Sequence, residues 1–149
     1  MIDQIIKLGR KTVVAMVHVP ALPGSPDYDS TTGMNKILDS VVADLEALQS
    51  GGVDAVMFGN EFDRPYVLTA PPEGLAALAS VIGQVKSMIK IPFGVNYLWD
   101  PVATVALAVA TNASFAREIF TGVYASDMGL WAPDCAGAAR LRSSQGRSD

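Results

Sequence analysis

The sequence has a single cysteine, Cys135, and a single histidine, His18, in 149 residues. One cysteine excludes an intramolecular disulfide and a cysteine-rich zinc site, so nothing in the chain requires an oxidising compartment. Charged residues are also scarce, at 17% against a usual share of about 25%, and the net charge is −4. The eleven lysines and arginines form no cluster, which disfavours nucleic-acid binding because phosphate backbones require grouped cations.

Long apolar runs are missing as well. None approaches the roughly 20 residues that span a bilayer, and the longest, 13–17 and 105–110, fit one strand and one helix. The first nine residues carry Asp3 and Lys7 and do not resemble a signal peptide. We therefore expect a cytoplasmic protein without a membrane span. Half of the residues are hydrophobic, which is enough for the core of one domain.

Four short segments are predicted to be strands, at residues 12–19, 55–58, 93–97 and 115–120. The first two have the apolar composition of strands that are buried on both faces. Each of the four is followed by a loop and by apolar residues at helical spacing, which predicts helices over 34–48 and 75–89, from Pro101, and from Pro133. We expect Asp100 to be the N-cap of the third helix, with a proline at the first helical position.

Strict alternation of strand and helix predicts parallel strands joined by right-handed crossovers, in an open doubly wound sheet or a closed barrel. The loops after the strands are long, as at residues 20–33, whereas those before the strands are short. Long loops at the carboxyl ends of strands are typical of barrels. The first loop also lacks the G-x-G-x-x-G motif of a doubly wound dinucleotide-binding domain. The pattern therefore favours the barrel.

A full barrel of this type has eight strand–helix units and about 250 residues, whereas this sequence contains four units. It predicts an α/β fold with one domain over residues 1–149, the amino-terminal half of a TIM-type (β/α)8 barrel, and a frayed tail at 142–149. The first and fourth strands would then have exposed edges, which promote association. We expect a fragment, a homo-oligomer that pairs these edges about a two-fold axis, or a chain that is poorly behaved alone.

Polar residues at the carboxyl ends of the predicted strands are site candidates, because barrel active sites lie there. His18 fits a catalytic acid/base, a metal ligand or a structural histidine. Asn60, at the tip of the second strand, is a candidate for binding substrate. Glu61 and Asp63 fit a catalytic acid/base pair, ligands of a divalent metal, or solvated surface charges. A divalent metal is the one cofactor that these residues suggest.

The third and fourth strands add a substrate-binding amide and two unexpected charges. Asn96 ends the third strand, where its side chain must find hydrogen bonds in a polar pocket or in the loop. Arg117 and Glu118 lie inside the predicted fourth strand and point to opposite faces. An interior Arg117 at the barrel mouth would bind a carboxylate or phosphate. The alternative is an ion pair across the strands, for example with Glu61.

The loop after the fourth strand supplies two further substrate-binding candidates, Thr121 and Asp127. Asp127 also fits a turn-forming residue before Gly129, because aspartate is common in turns. No P-loop, nucleophile elbow or paired-histidine metal motif accompanies these candidates. The reaction class is therefore not indicated by a motif.

Three segments resemble the BtpA/SgcQ family, in loops as well as strands. They are VVAMVHVPALPGSPDYD (13–29), GGVDAVMFGNEFDRPY (51–66) and IPFGVNYLWDPVATVALAVATNASFAREIFTGVYASDMGLW (91–131). The stretches NEFDRPY and REIFTGVYASD look more like the SgcQ branch than the cyanobacterial BtpA branch. The cyanobacterial branch tends to carry Glu-Asn where this chain has Gly59-Asn60, and it lacks the acid that stands here as Glu118.

The resemblance implies a TIM-like barrel whose other members continue for several more strands and helices. It also implies a link to photosystem I biogenesis in the cyanobacterial branch and to sugar-phosphotransferase-type gene clusters in the SgcQ branch. The residues of this chain that match the family motif are His18, Pro23, Gly24, Asn60, Asp63, Asn96, Arg117, Thr121, Gly122 and Asp127.

Three functional hypotheses follow. In the first, the protein is an enzyme acting on a small anionic metabolite such as a sugar phosphate. Arg117 and Asn96 would bind the ligand, His18 would move a proton, and Glu61 or Asp63 would assist or hold a metal. In the second, the protein is a non-catalytic biogenesis or assembly factor whose loops bind a protein partner. In the third, the chain is a truncated product without activity of its own.

Overall fold

A computed structural model describes residues 10–147 and contains four parallel strand–helix units. The strands are β1 (Val14–His18), β2 (Ala55–Gly59), β3 (Phe93–Asn96) and β4 (Phe115–Ala116), and they form one sheet in the order β1-β2-β3-β4. All three pairings are parallel. The predicted order and direction of the strands are confirmed.

The helices follow the strands in turn. They are α1 (Gly33–Ser50), α2 (Pro72–Val85), α3 (Pro101–Thr111) and α4 (Cys135–Ser144), with a short 3-10 turn at Lys86–Met88. Each helix packs on the next one along the chain. Sequential packing of this kind places the helices in one layer, as the outer layer of a barrel requires.

Side chains near the helix ends explain where the helices begin and stop. The Oδ1 atom of Asp100 accepts a hydrogen bond of 2.9 Å from the backbone N–H of Ala103, which confirms the predicted N-cap of α3. The carboxylate of Asp134 caps α4 in the same way, through the N–H of Gly137 at 2.8 Å. At the other end of α3, Asn112 adopts a left-handed conformation with φ 56°.

The two faces of the sheet differ sharply. Val17, Val56, Phe58 and Val95 belong to a buried core that they share with the helices. The side chains between them in sequence point to the opposite face, which corresponds to the interior of a barrel. On that face a Cβ atom at Gly94 would overlap the ring of Phe115, so glycine is required where β4 packs against β3.

The fourth strand is shorter than the sequence predicted. It ends at Ala116, and Arg117 and Glu118 therefore lie beyond it rather than inside it, as residues of an irregular segment. The N–H of Arg117 still donates to the carbonyl of Val95 at 3.2 Å, but the ladder stops there. Beyond this point the side chain of Glu118 replaces the backbone of β4 as the hydrogen-bond acceptor. Its Oε2 atom accepts from Asn96 at the end of β3 and from the N–H of Trp99 in the following loop.

A β-hairpin occupies the segment for which the sequence predicted only a loop. Strand β5 (Tyr124–Ser126) pairs antiparallel with β6 (Gly129–Trp131). Gly129 has φ 96°, a conformation that favours glycine and permits the tight reversal. The sequence offered little signal for it, because each strand is only three residues long.

The carboxyl-terminal segment includes residues 142–149, for which the sequence predicted fraying. Helix α4 continues to Ser144, and the guanidinium of Arg147 donates to the carbonyl of Ala113 at 3.1 Å. Residues 148–149 of that tail, and residues 1–9 for which no signal peptide was predicted, lie outside the described residues. Between residues 10 and 147, no helix combines the length and apolar composition needed to cross a membrane.

Candidate functional site

The register of the sheet brings three predicted site residues to one level at the carboxyl ends of the strands. His18 is paired with Gly59, and Gly59 is paired with Asn96. Arg117 follows Ala116, the partner of Val95, and so continues the same level beside Asn96. We call His18, Gly59, Asn96 and Arg117 the mouth row. In a TIM-type barrel this level borders the active site.

Asn96 is the most buried polar residue of the mouth row, with 1% of its surface exposed. Its Nδ2 atom donates to the carbonyl of Arg117 and to Oε2 of Glu118, both at 2.7 Å. Its Oδ1 atom is buried and has no hydrogen-bond partner. A buried acceptor without a partner is costly and calls for a physical account.

Gly59 lies next to that acceptor. A Cβ atom at position 59 would lie 3.9 Å from Oδ1 of Asn96 and 3.3 Å from the terminal methyl group of Met16. The methyl group of Met16 and the Asn96 acceptor therefore lie on the same side of the sheet as the missing Cβ of Gly59.

Glu118 has a structural role that the sequence did not reveal. Besides Asn96, its Oε2 atom accepts from the backbone N–H of Trp99 at 3.0 Å, and its Oε1 atom accepts from the N–H of Ile119 at 2.7 Å. The carboxylate thus fastens the loop after β3 to the segment after β4. Between these two segments lies a cavity of about 280 Å³, lined by Leu98, Trp99, Arg117, Glu118 and Ile119.

Arg117 is exposed, and its guanidinium makes no hydrogen bond or ion pair with residues 10–147. The alternative pairing with Glu61 does not form. Glu61 instead lies 3.4 Å from the guanidinium of Arg64 and accepts a hydrogen bond of 3.2 Å from the hydroxyl of Tyr66. The Arg117 cation is therefore available to an anion at the mouth row.

Asp63 holds three loops together. Its Oδ1 atom accepts from the N–H of Leu22, in the loop after β1, at 3.0 Å. Its Oδ2 atom accepts from Nδ2 of Asn60 at 3.4 Å and from the hydroxyl of Tyr97 at 3.3 Å. Asn60 extends the network, because its Oδ1 atom accepts from the N–H of Leu98 at 2.8 Å. Both residues therefore position the loops around the mouth row.

The environment of Tyr97 changes its ionisation. Only 1% of the residue surface is exposed, and its hydroxyl faces the Asp63 carboxylate. Burial, and after it the negative charge of Asp63, raise the pKa of Tyr97 above its usual value of 10.0. The hydroxyl therefore remains a hydrogen-bond donor to Asp63 throughout the physiological range.

The remaining predicted site residues have less constrained surroundings. His18 is half-buried, and its ring meets the edge of Phe62 with centroids 6.2 Å apart. Thr121 is exposed, and its carbonyl accepts a hydrogen bond of 2.9 Å from the hydroxyl of Tyr124. Asp127 is exposed in the turn between β5 and β6. Thr121 and Asp127 thus lie on the exposed segment that follows the mouth row.

An aromatic cluster near the mouth row was not anticipated from the sequence. The ring centroid of Trp99 lies 6.3 Å from that of Tyr66 and 5.1 Å from that of Trp131. The ring centroids of Trp131 and Tyr124 are 5.8 Å apart. These rings belong to three different loops, so only the fold brings them together. The sole signal in the sequence was that both tryptophans of the chain fall in predicted loops at the carboxyl ends of strands.

The arrangement of carboxylates does not form a metal site within the described part of the chain. Among residues 10–147, no group of three histidine, cysteine, aspartate or glutamate side chains converges. Both oxygens of Asp63 already accept hydrogen bonds from protein donors, and Glu61 faces Arg64. These two carboxylates are therefore poorly placed to serve as ligands of a divalent metal together.

Comparison with known proteins identifies the relatives of this chain. The model of the BtpA family matches residues 9–147. The chain is 60% identical over 121 residues to the "Putative sgc region protein SgcQ" of Escherichia coli (strain K12), covering 81% of this chain and 45% of that protein. It is 29% identical over 121 residues to the "Photosystem I biogenesis protein BtpA" of Synechocystis sp., covering 79% of this chain and 42% of that protein. The predicted closeness to the SgcQ branch is confirmed.

Comparison with solved structures identifies the fold. The chain superposes on dihydropteroate synthase from Vibrio fischeri ES114 with a TM-score of 0.64 and on the Xanthomonas albilineans enzyme with a TM-score of 0.59. The superposition covers 94% of this chain but only 44% and 43% of the two enzymes, at 17% and 20% sequence identity. At such identity the likeness is one of fold alone. It confirms half of a TIM-type fold, and the chain spans about half the length of the curated relatives it matches.

The network around Asp63 predicts a large effect on stability. We expect Asp63→Ala to lower the free energy of unfolding by about 2 kcal/mol, because hydrogen bonds to a charged group contribute roughly 1.5–3 kcal/mol. Asp127→Ala, which removes an exposed carboxylate, should change it by less than about 0.5 kcal/mol. Urea unfolding followed by circular dichroism measures both. Equal stability of the two variants would contradict the structural role of Asp63.

The raised pKa of Tyr97 predicts a loss of stability in alkali. The pKa of Tyr97 is higher in the folded than in the unfolded chain. The contribution of Tyr97 to the free energy of unfolding is therefore complete below pH 10.0 and declines as the pH rises above that value. We expect unfolding free energies measured from about pH 9 to about pH 11 to fall more steeply for the wild type than for Tyr97→Phe. Parallel profiles for the two proteins would show that Tyr97 makes no such contribution.

Proposed function

The chain belongs to the BtpA family, and on that basis we propose that its mouth row binds a small anionic metabolite, such as a sugar phosphate, for an enzymatic reaction. The proposal rests on two groups that lie next to each other. One is a cation that makes no hydrogen bond or ion pair with residues 10–147, and the other is a buried acceptor that has no hydrogen-bond partner. These are the guanidinium of Arg117 and Oδ1 of Asn96, which occupy neighbouring positions at the strand ends.

Each residue of the mouth row has a distinct role in this proposal. Arg117 binds the anionic group, because a guanidinium matches the geometry of phosphate and carboxylate oxygens. Asn96 accepts a hydrogen bond from a ligand hydroxyl, as its unpartnered Oδ1 requires. His18, half-buried on the same level, transfers a proton to or from the ligand. Gly59 adds no side chain to this level.

The loops complete the proposed site. Asp63 and Asn60 position the loops after β1, β2 and β3 through the hydrogen bonds described above. Glu61 is placed in the same loop and assists proton transfer, whereas Thr121 and Asp127 contact the ligand from the exposed segment after β4. A cytoplasmic location is part of the proposal, since the metabolite would be met there.

A second candidate function is suggested by the cyanobacterial relative, whose name assigns it to photosystem I biogenesis. In that case the exposed apolar side chains of the hairpin region would contact a protein partner. Leu130 is 76% exposed and Val123 is 67% exposed. His18 and Arg117 would then be structural.

Replacement of Arg117 tests anion binding directly. Isothermal titration of the wild type with pentose and hexose phosphates should show binding, and Arg117→Gln should weaken it about 10- to 100-fold, because a charged hydrogen bond contributes roughly 1.5–3 kcal/mol. The control is Arg140→Gln, an exposed arginine on α4 that lies outside the mouth row. Binding that is equal in the two variants, or no binding by the wild type, would contradict the proposal.

Replacement of His18 separates the enzyme from the assembly factor. We expect His18→Ala to retain binding of the phosphorylated ligand while losing at least about 100-fold in turnover, which is the usual contribution of acid–base catalysis. Turnover is followed by phosphorus NMR of the ligand, and circular dichroism verifies the fold. If the variant folds and neither turnover nor affinity changes, the enzyme hypothesis is contradicted and the assembly factor, which binds a protein partner, is favoured instead.

A further inference from the structure

Trp99, in the loop after β3, is a costly residue for its position. Its φ is 71°, in the left-handed region that bulky residues rarely adopt. Its indole Nε1 atom is buried and has no hydrogen-bond partner among residues 10–147. A strained backbone and an unpartnered buried donor both oppose folding, and such exceptions are concentrated at functional sites. Backbone preference and hydrogen bonding therefore do not explain a tryptophan here, which leaves the aromatic ring as the property to be explained.

The surrounding residues hold the ring of Trp99 in place. The backbone N–H of Trp99 donates to Oε2 of Glu118 at 3.0 Å, which ties the loop after β3 to the segment after β4. The ring meets that of Trp131 near edge to face, at an interplanar angle of 74°, and that of Tyr66 at 48°. The residue is nevertheless only half-buried. An ordered ring that keeps part of its surface accessible can pack on a ligand with little further loss of conformational freedom.

The cavity between these two segments combines the ring of Trp99 with a cation. Leu98 and Ile119 add apolar surface to its lining, and Arg117 adds the guanidinium that makes no hydrogen bond or ion pair with residues 10–147. Glu118 also lines the cavity, but both oxygens of its carboxylate already accept hydrogen bonds from the protein. The volume of about 280 Å³ is at the lower end of the range for ligand sites, which is about 300–1,000 Å³. The cavity therefore fits a ligand with one ring and one anionic group better than a dinucleotide.

We propose that this cavity binds a single sugar ring that carries a phosphate, with the C–H face of the sugar packed against the indole of Trp99. The inference rests on the function proposed above, and it adds a residue that selects the substrate class. The face of an aromatic ring is negative and attracts the weakly positive C–H groups of a sugar. A sugar is favoured over an aromatic ring because the unpartnered acceptor of Asn96 needs a hydroxyl donor.

Trp99 and Arg117 have separable roles in this arrangement. Arg117 binds the phosphate whatever is attached to it, because a guanidinium matches phosphate oxygens. Trp99 contacts only the sugar ring, so it determines specificity rather than anion binding. Loss of Trp99 should therefore remove the preference for a sugar phosphate over inorganic phosphate and leave the affinity for inorganic phosphate unchanged.

Isothermal titration of the wild type and Trp99→Leu tests this preference. Leucine has the same backbone restriction as tryptophan, so the variant removes the aromatic face without relieving the strained φ. The probes are glucose 6-phosphate, galactose 6-phosphate, ribose 5-phosphate, phenyl phosphate and inorganic phosphate. We expect the wild type to bind the best sugar phosphate at least about 10-fold more tightly than inorganic phosphate, and Trp99→Leu to bind the two within about twofold.

A matched control and the outcomes separate this inference from the function on which it rests. Leu130→Ala shortens an exposed apolar side chain that does not line the cavity, and it should keep the wild-type preference. If the preference is absent from the wild type or survives in Trp99→Leu, Trp99 does not select the ligand, although anion binding by Arg117 still holds. If phenyl phosphate binds as tightly as the best sugar phosphate, the sugar assignment is wrong. If no probe binds the wild type, the proposed function is contradicted as well.

Nuclear magnetic resonance of the wild type gives a readout that does not depend on how the variant folds. The chain has two tryptophans and therefore two indole N–H signals, of which Trp99→Phe removes one and so assigns both. The best-binding sugar phosphate should shift the Trp99 signal more than inorganic phosphate does, and the ring current of the indole should shift the sugar protons upfield. Binding of a sugar phosphate without either shift would overturn the contact between Trp99 and the sugar.

Discussion

The Asp63 carboxylate is the contact on which the geometry of the strand ends depends. Three loops that follow different strands converge on its two oxygens, through the N–H of Leu22, the amide of Asn60 and the hydroxyl of Tyr97. Loops normally vary in position because few contacts fix them. Here a single charged acceptor is shared between them, and because burial keeps the Tyr97 hydroxyl protonated, the network persists across the physiological range. The loops that follow β1, β2 and β3 are therefore fixed to one another beside the mouth row.

A second carboxylate, that of Glu118, extends this order to the fourth strand. It fills the position at which β4 stops pairing with β3, and it accepts from Asn96, Trp99 and Ile119. The donor side of the Asn96 amide is thereby satisfied while its acceptor side is not. An amide held in one orientation by its neighbours presents a defined hydrogen-bond acceptor, which is the kind of preorganisation that ligand binding exploits. The proposed site thus follows from how the loops are fixed.

The sequence by itself determined the order and direction of the elements. Buried strands alternate with amphipathic helices, and local signals such as Asp100 before Pro101 mark the helix starts. It also determined family membership and placed His18, Asn60 and Asn96 at strand ends. Only the tertiary structure decided that β4 ends before Arg117, that Glu118 and Asp63 are occupied by protein donors, and that the acceptor of Asn96 is left alone. The reason is physical: periodicity reports which face of an element is buried, whereas hydrogen bonds between loops join residues tens of positions apart and exist only once the strands are in register.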